Sequence, residues 1–369
     1  MGSLADLTLV IPAYNRPAYL ERQIEFWSAS DVQLCILDGS KESAPQSLID
    51  RMGPNIYYRH LPIGFNERLV IACDLVQTKY VALLGDDELY APHGLRDCIE
   101  TLEADSRLIA CVGRAMYFYQ RDSQIFGNQV YEKSENLVHS FGSDIDRLNE
   151  SLVDIERGPY LLYGLFKSSE WKKTVQVSYG RKYSSGYVYE LAFHLIATLL
   201  GPTRMVESLV WMRSGENPAM SSDAVNRKIG IGEWGTDQRF VAEVAYLVDG
   251  VVDTVNTDGR FSKVQLQDAV QQAVQGFVRY SLHKPKRPIA YWHRTSYFLA
   301  RHTPKFLKQL LKRYMPTGLG NALDYRGVPM AEAVAEMRNC GIALNEAEMK
   351  SMEQFLINFH HLKENWKVG

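Results

Sequence analysis

The sequence predicts an α/β protein, with a mostly parallel sheet and crossover helices in its N-terminal part and a helical C-terminal region. Three observations carry this. Short β-rich runs alternate with helix-period stretches over the first 115 residues. Three of those runs end in polar clusters: Pro12-Ala13-Tyr14-Asn15, Asp38-Gly39-Ser40 and Gly85-Asp86-Asp87-Glu88. After Thr236 every periodic stretch is helical. Strand–helix–strand alternation at this spacing implies right-handed crossovers, and such sheets bind ligands beyond the carboxyl ends of their strands.

In chain order, strands are expected at Leu7 to Ile11, Leu34 to Leu37, Tyr57 to Arg59, Tyr80 to Leu84 and Leu108 to Val112. Between them, Pro17 to Trp27 sets Leu20, Ile24 and Trp27 on one helical stripe. Asn66 to Val76 and Pro92 to Leu102 do the same with Leu69, Ala72, Cys73 and Val76, and with Leu95, Ile99 and Leu102. The middle of the chain mixes aromatic β-type segments, Met116 to Tyr119 and Tyr160 to Phe166, with a helix around Tyr189 to Leu200. Ala269 to Tyr280, Pro304 to Tyr314, Met330 to Arg338 and Asn345 to His361 read as helices, the last with Asn345 as N-cap and Glu348 at the capping-box position. The expected division is 1–215 for the sheet-bearing unit, 216–235 for a mobile Ser/Gly/Asn-rich loop, and 236–369 for the helical region.

Composition narrows the class. With 369 residues, 46% hydrophobic and 23% charged, the chain is that of a folded protein. No apolar run approaches the ~20 residues a membrane-spanning helix needs, and Met1-Gly2-Ser3 opens neither a signal peptide nor a myristoylation site. Five widely spaced cysteines without a C-x-x-C pair argue against a disulfide framework or a zinc knuckle, and a reducing, cytoplasmic setting is expected. Charge is unevenly placed. Residues 269–323 hold ten Lys and Arg and no acid, so a chain of net charge −2 carries −12 outside them.

Asp86-Asp87-Glu88 is the sharpest chemical signal. Three consecutive acids after a buried strand repel one another, and burying them unpaired is costly. A hard divalent cation shared with a phosphate would neutralise them, since Mg²⁺ and Mn²⁺ take one or two carboxylates plus phosphate oxygens. A solvated turn capping the next helix is the plainer alternative. The position at a strand end, in register with two other polar strand ends, favours the cation.

These residues resemble the family-2-type GT-A glycosyltransferases. Leu7 to Leu20 is similar to that family's opening strand, Pro-x-Tyr-Asn and helix. Cys35 to Ser40 resembles its second strand, Asn66-Glu67-Arg68 its following helix, and Lys79 to Glu88 the segment leading into its D-x-D motif. The resemblance implies a GT-A-like fold in which Pro12, Ala13, Tyr14 and Asn15 wrap a nucleoside and Asp38 bonds the base. Arg68 would approach the base or diphosphate, or be a solvated helix charge. Asp86 would hold the ribose hydroxyls, with Mn²⁺ or Mg²⁺ on Asp87 or Glu88, Asp87 being preferred. Gly85 departs from the family pattern, occupying the place of its first acid.

In that family a carboxylate about a hundred residues after D-x-D, at a helix start, removes the acceptor proton in an inverting transfer. Glu190 matches, 103 residues past Asp87, although Tyr189-Glu190 stands where the family more often has a Glu-Asp pair. A plain helix-start carboxylate is the alternative. His194, one turn on, reads as a core histidine or a phosphate or metal contact. Arg213 reads as a clamp on the diphosphate.

The helix at Pro304 to Tyr314 has an apolar side and a basic side. The stretch 284–314 therefore suits an anionic membrane surface or packs its stripe on the catalytic unit. Expected partners are a nucleotide-sugar donor, a glycan or lipid-linked glycan acceptor and no nucleic acid, with the C-terminal helices available for a homodimer. The competing reading is a catalytically decayed sugar-nucleotide or glycan-binding scaffold. A nucleotidyltransferase is disfavoured, because Tyr14-Asn15-Arg16-Pro17 is no glycine-rich phosphate loop.

Overall fold

Leu7–Ile11 is apolar but for Thr8, the pattern of a strand covered on both faces, and it forms β1 at the centre of the sheet with all five residues buried. The structure, a computed structural model, describes residues 3–121, 123–130, 143–154, 161–215, 229–256, 259, 261–283 and 327–362. β1 lies parallel to β2 (Gln33–Asp38) on one side and β4 (Tyr80–Leu83) on the other, and β3 (Ile56–His60) lies parallel outside β2. The crossovers are α1 (Pro17–Trp27), a single turn α2 (Gln46–Ile49) and α3 (Phe65–Leu75). Proline at the first position of α1 has its ring already at a helical φ and needs no amide partner there.

Past β4 the chain makes the short β5 (Leu89–Tyr90) and α4 (Pro92–Ala104) before β6 (Ala110–Arg121). β6 is longer than the expected strand at Leu108 to Val112 and absorbs the aromatic run Met116 to Tyr119. One of its edges pairs first with β8 (Leu165–Lys167) and then with β7 (Gln124–Val130), both antiparallel. Its other edge carries β9 (Thr203–Ser214) in parallel, and β9 also pairs with β5. β8 inserts antiparallel between β4 and β6, and β10 (Val328–Pro329) closes the far edge on β7. Of the aromatic stretch expected to be extended before Phe166, Leu161–Tyr163 form instead a 3₁₀ turn.

The remaining helices are α5 (Asp144–Asp154), α6 (Ser168–Ser178), α7 (Gly186–Leu200), α8 (Ile231–Thr236), α9 (Val241–Val255), α10 (Lys263–His283), α11 (Met330–Asn339) and α12 (Glu346–Leu362). Helix therefore resumes at Ile231, within the stretch expected as loop, because Trp234 is fully buried and anchors that turn. Residues 216–228 lie outside the described residues, as does the basic stretch 284–314.

Two cores result. The larger joins both faces of the parallel strands to α1, α3, α4, α6, α7, α9 and α10. The smaller is rich in methionine: Leu89, Met116, Phe118 and Met212 pack against Met330, Met337, Met349, Met352 and Leu356 of α11 and α12. Asn345 does cap α12, its side-chain oxygen accepting from the Glu348 amide at 3.1 Å. The reciprocal half of the expected capping box is diverted, since the Glu348 carboxylate takes the His93 amide at the start of α4, both oxygens at 3.1 Å. All five cysteines are free thiols, four buried and Cys340 exposed. Among the described residues no helix is long and apolar enough to cross a membrane.

Candidate active site

The ends of β1 and β2 are tied together by main chain. Gly39 donates its amide to the Ala13 carbonyl at 2.9 Å, and the Asn15 amide donates to Ser40 Oγ at 2.8 Å. Asn15 turns the chain with φ of 51°, a left-handed conformation that asparagine tolerates better than most residues. Asp38 is buried at the base of this turn, where one carboxylate oxygen accepts from the Ser40 amide (2.9 Å) and the other from the Tyr58 hydroxyl (2.8 Å). Burial, with the Asp38 charge adding to it, raises the Tyr58 phenol above its ordinary 10.0.

Arg68 is not a solvated helix charge. Its guanidinium is buried and donates through Nη1 to the carbonyls of Ala13 (2.6 Å) and Leu37 (2.7 Å), strapping the two strand ends from beneath. Gly39 is required by this strap, for a Cβ there would come within 2.4 Å of Arg68 Cζ. Arg68 therefore shapes the cleft floor through main chain.

The acidic turn after β4 is built by α1. Arg16 forms an ion pair with Asp86 through Nε (3.2 Å) and Nη2, and donates to Asp87 Oδ2 through Nη1 at 3.0 Å. Gln23 Nε2 bonds the Asp86 carbonyl (3.0 Å) and the Glu88 carbonyl (2.6 Å), and Trp27 Nε1 orients Gln23 at 3.2 Å. Arg22, fully buried, holds the Asp87 carbonyl, with Tyr19 and Phe118 rings 4.6 and 5.8 Å from its guanidinium carbon. Burial pushes the Asp86 carboxyl up to about 7, against the pull of Arg16 and the Tyr14 amide.

Glu88 does not join Asp87. Its carboxyl turns inward and accepts from Trp211 Nε1 at 3.0 Å, where burial pushes it up to about 8. That inward turn gives a physical reason for Gly85, since a Cβ at that position would sit 2.9 Å from Glu88 Oε2. A side chain at position 85 would require Glu88 to shift.

Trp211 stacks on Tyr163 with ring centroids 4.3 Å apart. Burial holds the Tyr163 phenol well above its ordinary range, and the charges of both Glu88 and Glu190 add to this. Both carboxylates therefore act on the Tyr163 phenol. Glu190 is half-buried in the second turn of α7 and not at its start, because the helix begins at Gly186. His194 is half-buried one turn further along. Arg213 is exposed on β9 near enough to lower Glu88 by its charge. The approach to α7 is held by Glu243 of α9, which accepts from the Ser184 amide (2.9 Å), the Ser184 hydroxyl and Trp234 Nε1 (3.0 Å).

A divalent cation at this turn would need donors beyond the protein's own. Among the described residues no group of three His, Cys, Asp or Glu could hold one unaided. Asp87, 15% exposed at the opening, offers one carboxylate, which with phosphate oxygens from a ligand is a sufficient set for Mg²⁺ or Mn²⁺. Glu88 faces the wrong way to contribute.

A parallel sheet with polar and acidic groups gathered beyond its strand ends is the architecture of nucleotide-binding α/β enzymes. Residues 8–153 match the family model Glycosyl transferase family 2, a segment running from β1 through the acidic turn into α5. The chain carries a glycosyltransferase segment on the GT-A plan at residues 8–153, and Glu190 lies beyond it. No curated protein matches the chain in sequence. Among solved structures it is similar to S. aureus TarS 1–349 in complex with UDP-GlcNAc, at 8% identity, covering 90% of this chain and 92% of that one, TM-score 0.47. It is also similar to S. aureus TarS 1–349 in complex with UDP, at 8% identity, covering 100% and 93%, TM-score 0.46. Likenesses at this level carry no argument about donor, acceptor or site.

Proposed function

We propose that the chain moves a single sugar from a nucleoside-diphosphate sugar, first a uridine diphosphate sugar, to a glycan acceptor with inversion at the anomeric carbon. What supports this reading is the family 2 glycosyltransferase match over residues 8–153, with Asp38 and the Asp86–Asp87 turn at the ends of the two strands that flank β1. In this reading residues 1–215 form the donor and acceptor unit and 236–369 a supporting helical region.

Ionised Asp38 only accepts hydrogen bonds, so it suits a base with a ring N–H such as uracil. The main chain of Pro12, Ala13, Tyr14 and Asn15 encloses the nucleoside, Arg68 holding that loop in shape; Asp86, expected on the ribose hydroxyls, is buried against Arg16 and in this reading shapes the turn beneath the ribose instead. Asp87 would hold Mn²⁺ or Mg²⁺ together with the diphosphate; when bound, such an ion offsets the charge developing on the leaving phosphate. Glu190 accepts the proton of the attacking acceptor hydroxyl, which raises the oxygen's nucleophilicity as the bond to the sugar forms. The basic stretch 284–314 supports a lipid-linked surface glycan, polysaccharide or lipopolysaccharide, as acceptor, with the enzyme peripheral at the cytoplasmic face of a membrane.

Thermal stabilisation by UDP, GDP, TDP, CMP and ADP, with and without Mn²⁺, tests the reading on wild type and Asp87→Ala. Selective stabilisation by UDP that needs Mn²⁺ and is lost in the variant is the expected result. A protein that no nucleotide stabilises would instead be a scaffold that has lost donor binding.

A further inference from the structure

Arg16 has two unequal holds. Its grip on Asp86 uses two nitrogens on a carboxylate 1% exposed, while its grip on Asp87 is one nitrogen at 3.0 Å on a carboxylate 15% exposed. Its guanidinium carbon is 5.7 Å from the centre of the Tyr19 ring, and the residue lies immediately before the proline that starts α1. With both acids ionised, two carboxylates and one guanidinium leave one negative charge at the mouth of the cleft. Two cations cannot share the outer carboxylate closely without strong mutual repulsion.

We propose that Arg16 is the resident counter-cation of the acidic turn: it holds Asp86 and Asp87 in the donor-free protein, and a divalent cation gains Asp87 only as Arg16 releases it. The inference rests on the reading of Asp87 as the cation ligand and goes beyond it by naming the group that competes there. The inner hold on Asp86 persists through the exchange, so the guanidinium stays anchored while Nη1 is freed. That N–H then points at the opening where the diphosphate binds, and donates to a phosphate oxygen. Nucleotide and cation thus help one another, because each takes over one half of what Arg16 and Asp87 gave each other.

The test is Mn²⁺ binding to the full chain, followed by the electron paramagnetic resonance signal of free Mn²⁺, with and without UDP. Without UDP, Arg16→Gln is expected to bind Mn²⁺ about tenfold more tightly than wild type, since one repelling charge beside the ligand is gone. Adding UDP is expected to tighten Mn²⁺ binding in wild type by a larger factor than in Arg16→Gln. Equal or weaker Mn²⁺ binding by a folded Arg16→Gln, with binding lost in Asp87→Asn, overturns the role of Arg16 alone. Unchanged Mn²⁺ binding in Asp87→Asn overturns the ligand reading and this proposal with it. Should Arg16→Gln fail to fold, Arg16→Lys decides. A lysine keeps the charge but replaces the planar fork by one compact ammonium with a weaker hold on the pair, so a modest gain in Mn²⁺ affinity is expected and no gain overturns the proposal.

Discussion

Glu190 owes its place to the start of α7 at Gly186, which carries it one turn into the helix and towards Tyr163. Its substitution is the direct test of the proton transfer. Glu190→Gln is expected to lower turnover by about 10²–10⁴-fold while the donor KM changes little, and the wild-type product is expected to have inverted configuration by NMR. Full turnover in the variant would remove Glu190 from the chemistry. At this scale the sequence spoke through residue type and spacing: Asp38, Asp86 and Asp87 were legible because acids after apolar strands are rare and costly. Arg68, Glu88 and Gly85 were legible only as positions. A helical arginine looks the same whether it meets solvent or two carbonyls, and an acid in a turn does not announce which way it faces.

Among the elements, α1 decides the acidic turn and α9 decides the approach to α7. Gln23 carried a signal that could have been read, since it lies three residues after Leu20 and four before Trp27, on the apolar stripe. A polar side chain there must find a partner, and it finds the carbonyls of Asp86 and Glu88. Glu243 carried none. Partial burial pulls its carboxyl upward, but the Ser184 hydroxyl and amide and the Trp234 indole outweigh this and leave it below its ordinary 4.5. A depressed carboxylate stabilises the fold above its unfolded pKa, and that stability is lost as pH falls through the folded value. Glu243→Gln is therefore expected to be less stable than wild type by about 1 kcal/mol at pH 7, the exposed part of the site being discounted. The difference should narrow as pH drops below 4.5. Denaturant melts across pH 3–7, taken at about unit steps, check this, and a gap independent of pH would mean that the charge of Glu243 contributes nothing.

For the whole molecule, the second core shows what the last helices do. Leu356 is fully buried with Met116, Phe118 and Met212, so α12 covers strands whose other residues, Trp211 and Arg213, reach the acidic turn. Leu356→Ala is expected to cost about 2–4 kcal/mol in urea unfolding. The added stability from UDP and Mn²⁺ should be unchanged, because the cavity lies behind the strands and away from the strand ends. Loss of nucleotide stabilisation in that variant would show that this core sets the geometry of the site.

By itself the sequence determined the order β1, α1, β2, β3, α3, β4 and α4, without the single turn α2 or the short β5, together with the bounds of β1 and α1 and the convergence of three polar strand ends. Those features are local: apolar runs, helical stripes and a proline at a helix start are written in neighbouring residues. Only the tertiary structure decided how β6 is shared between β7, β8 and β9, that Arg16 and Arg22 serve the acidic turn, and that Trp211 joins that turn to Tyr163. Apart from the β6–β7 hairpin, each of these joins residues tens to more than a hundred positions apart. Periodicity tells which face of an element is buried, but the partner that face meets is chosen by the packing of the whole chain.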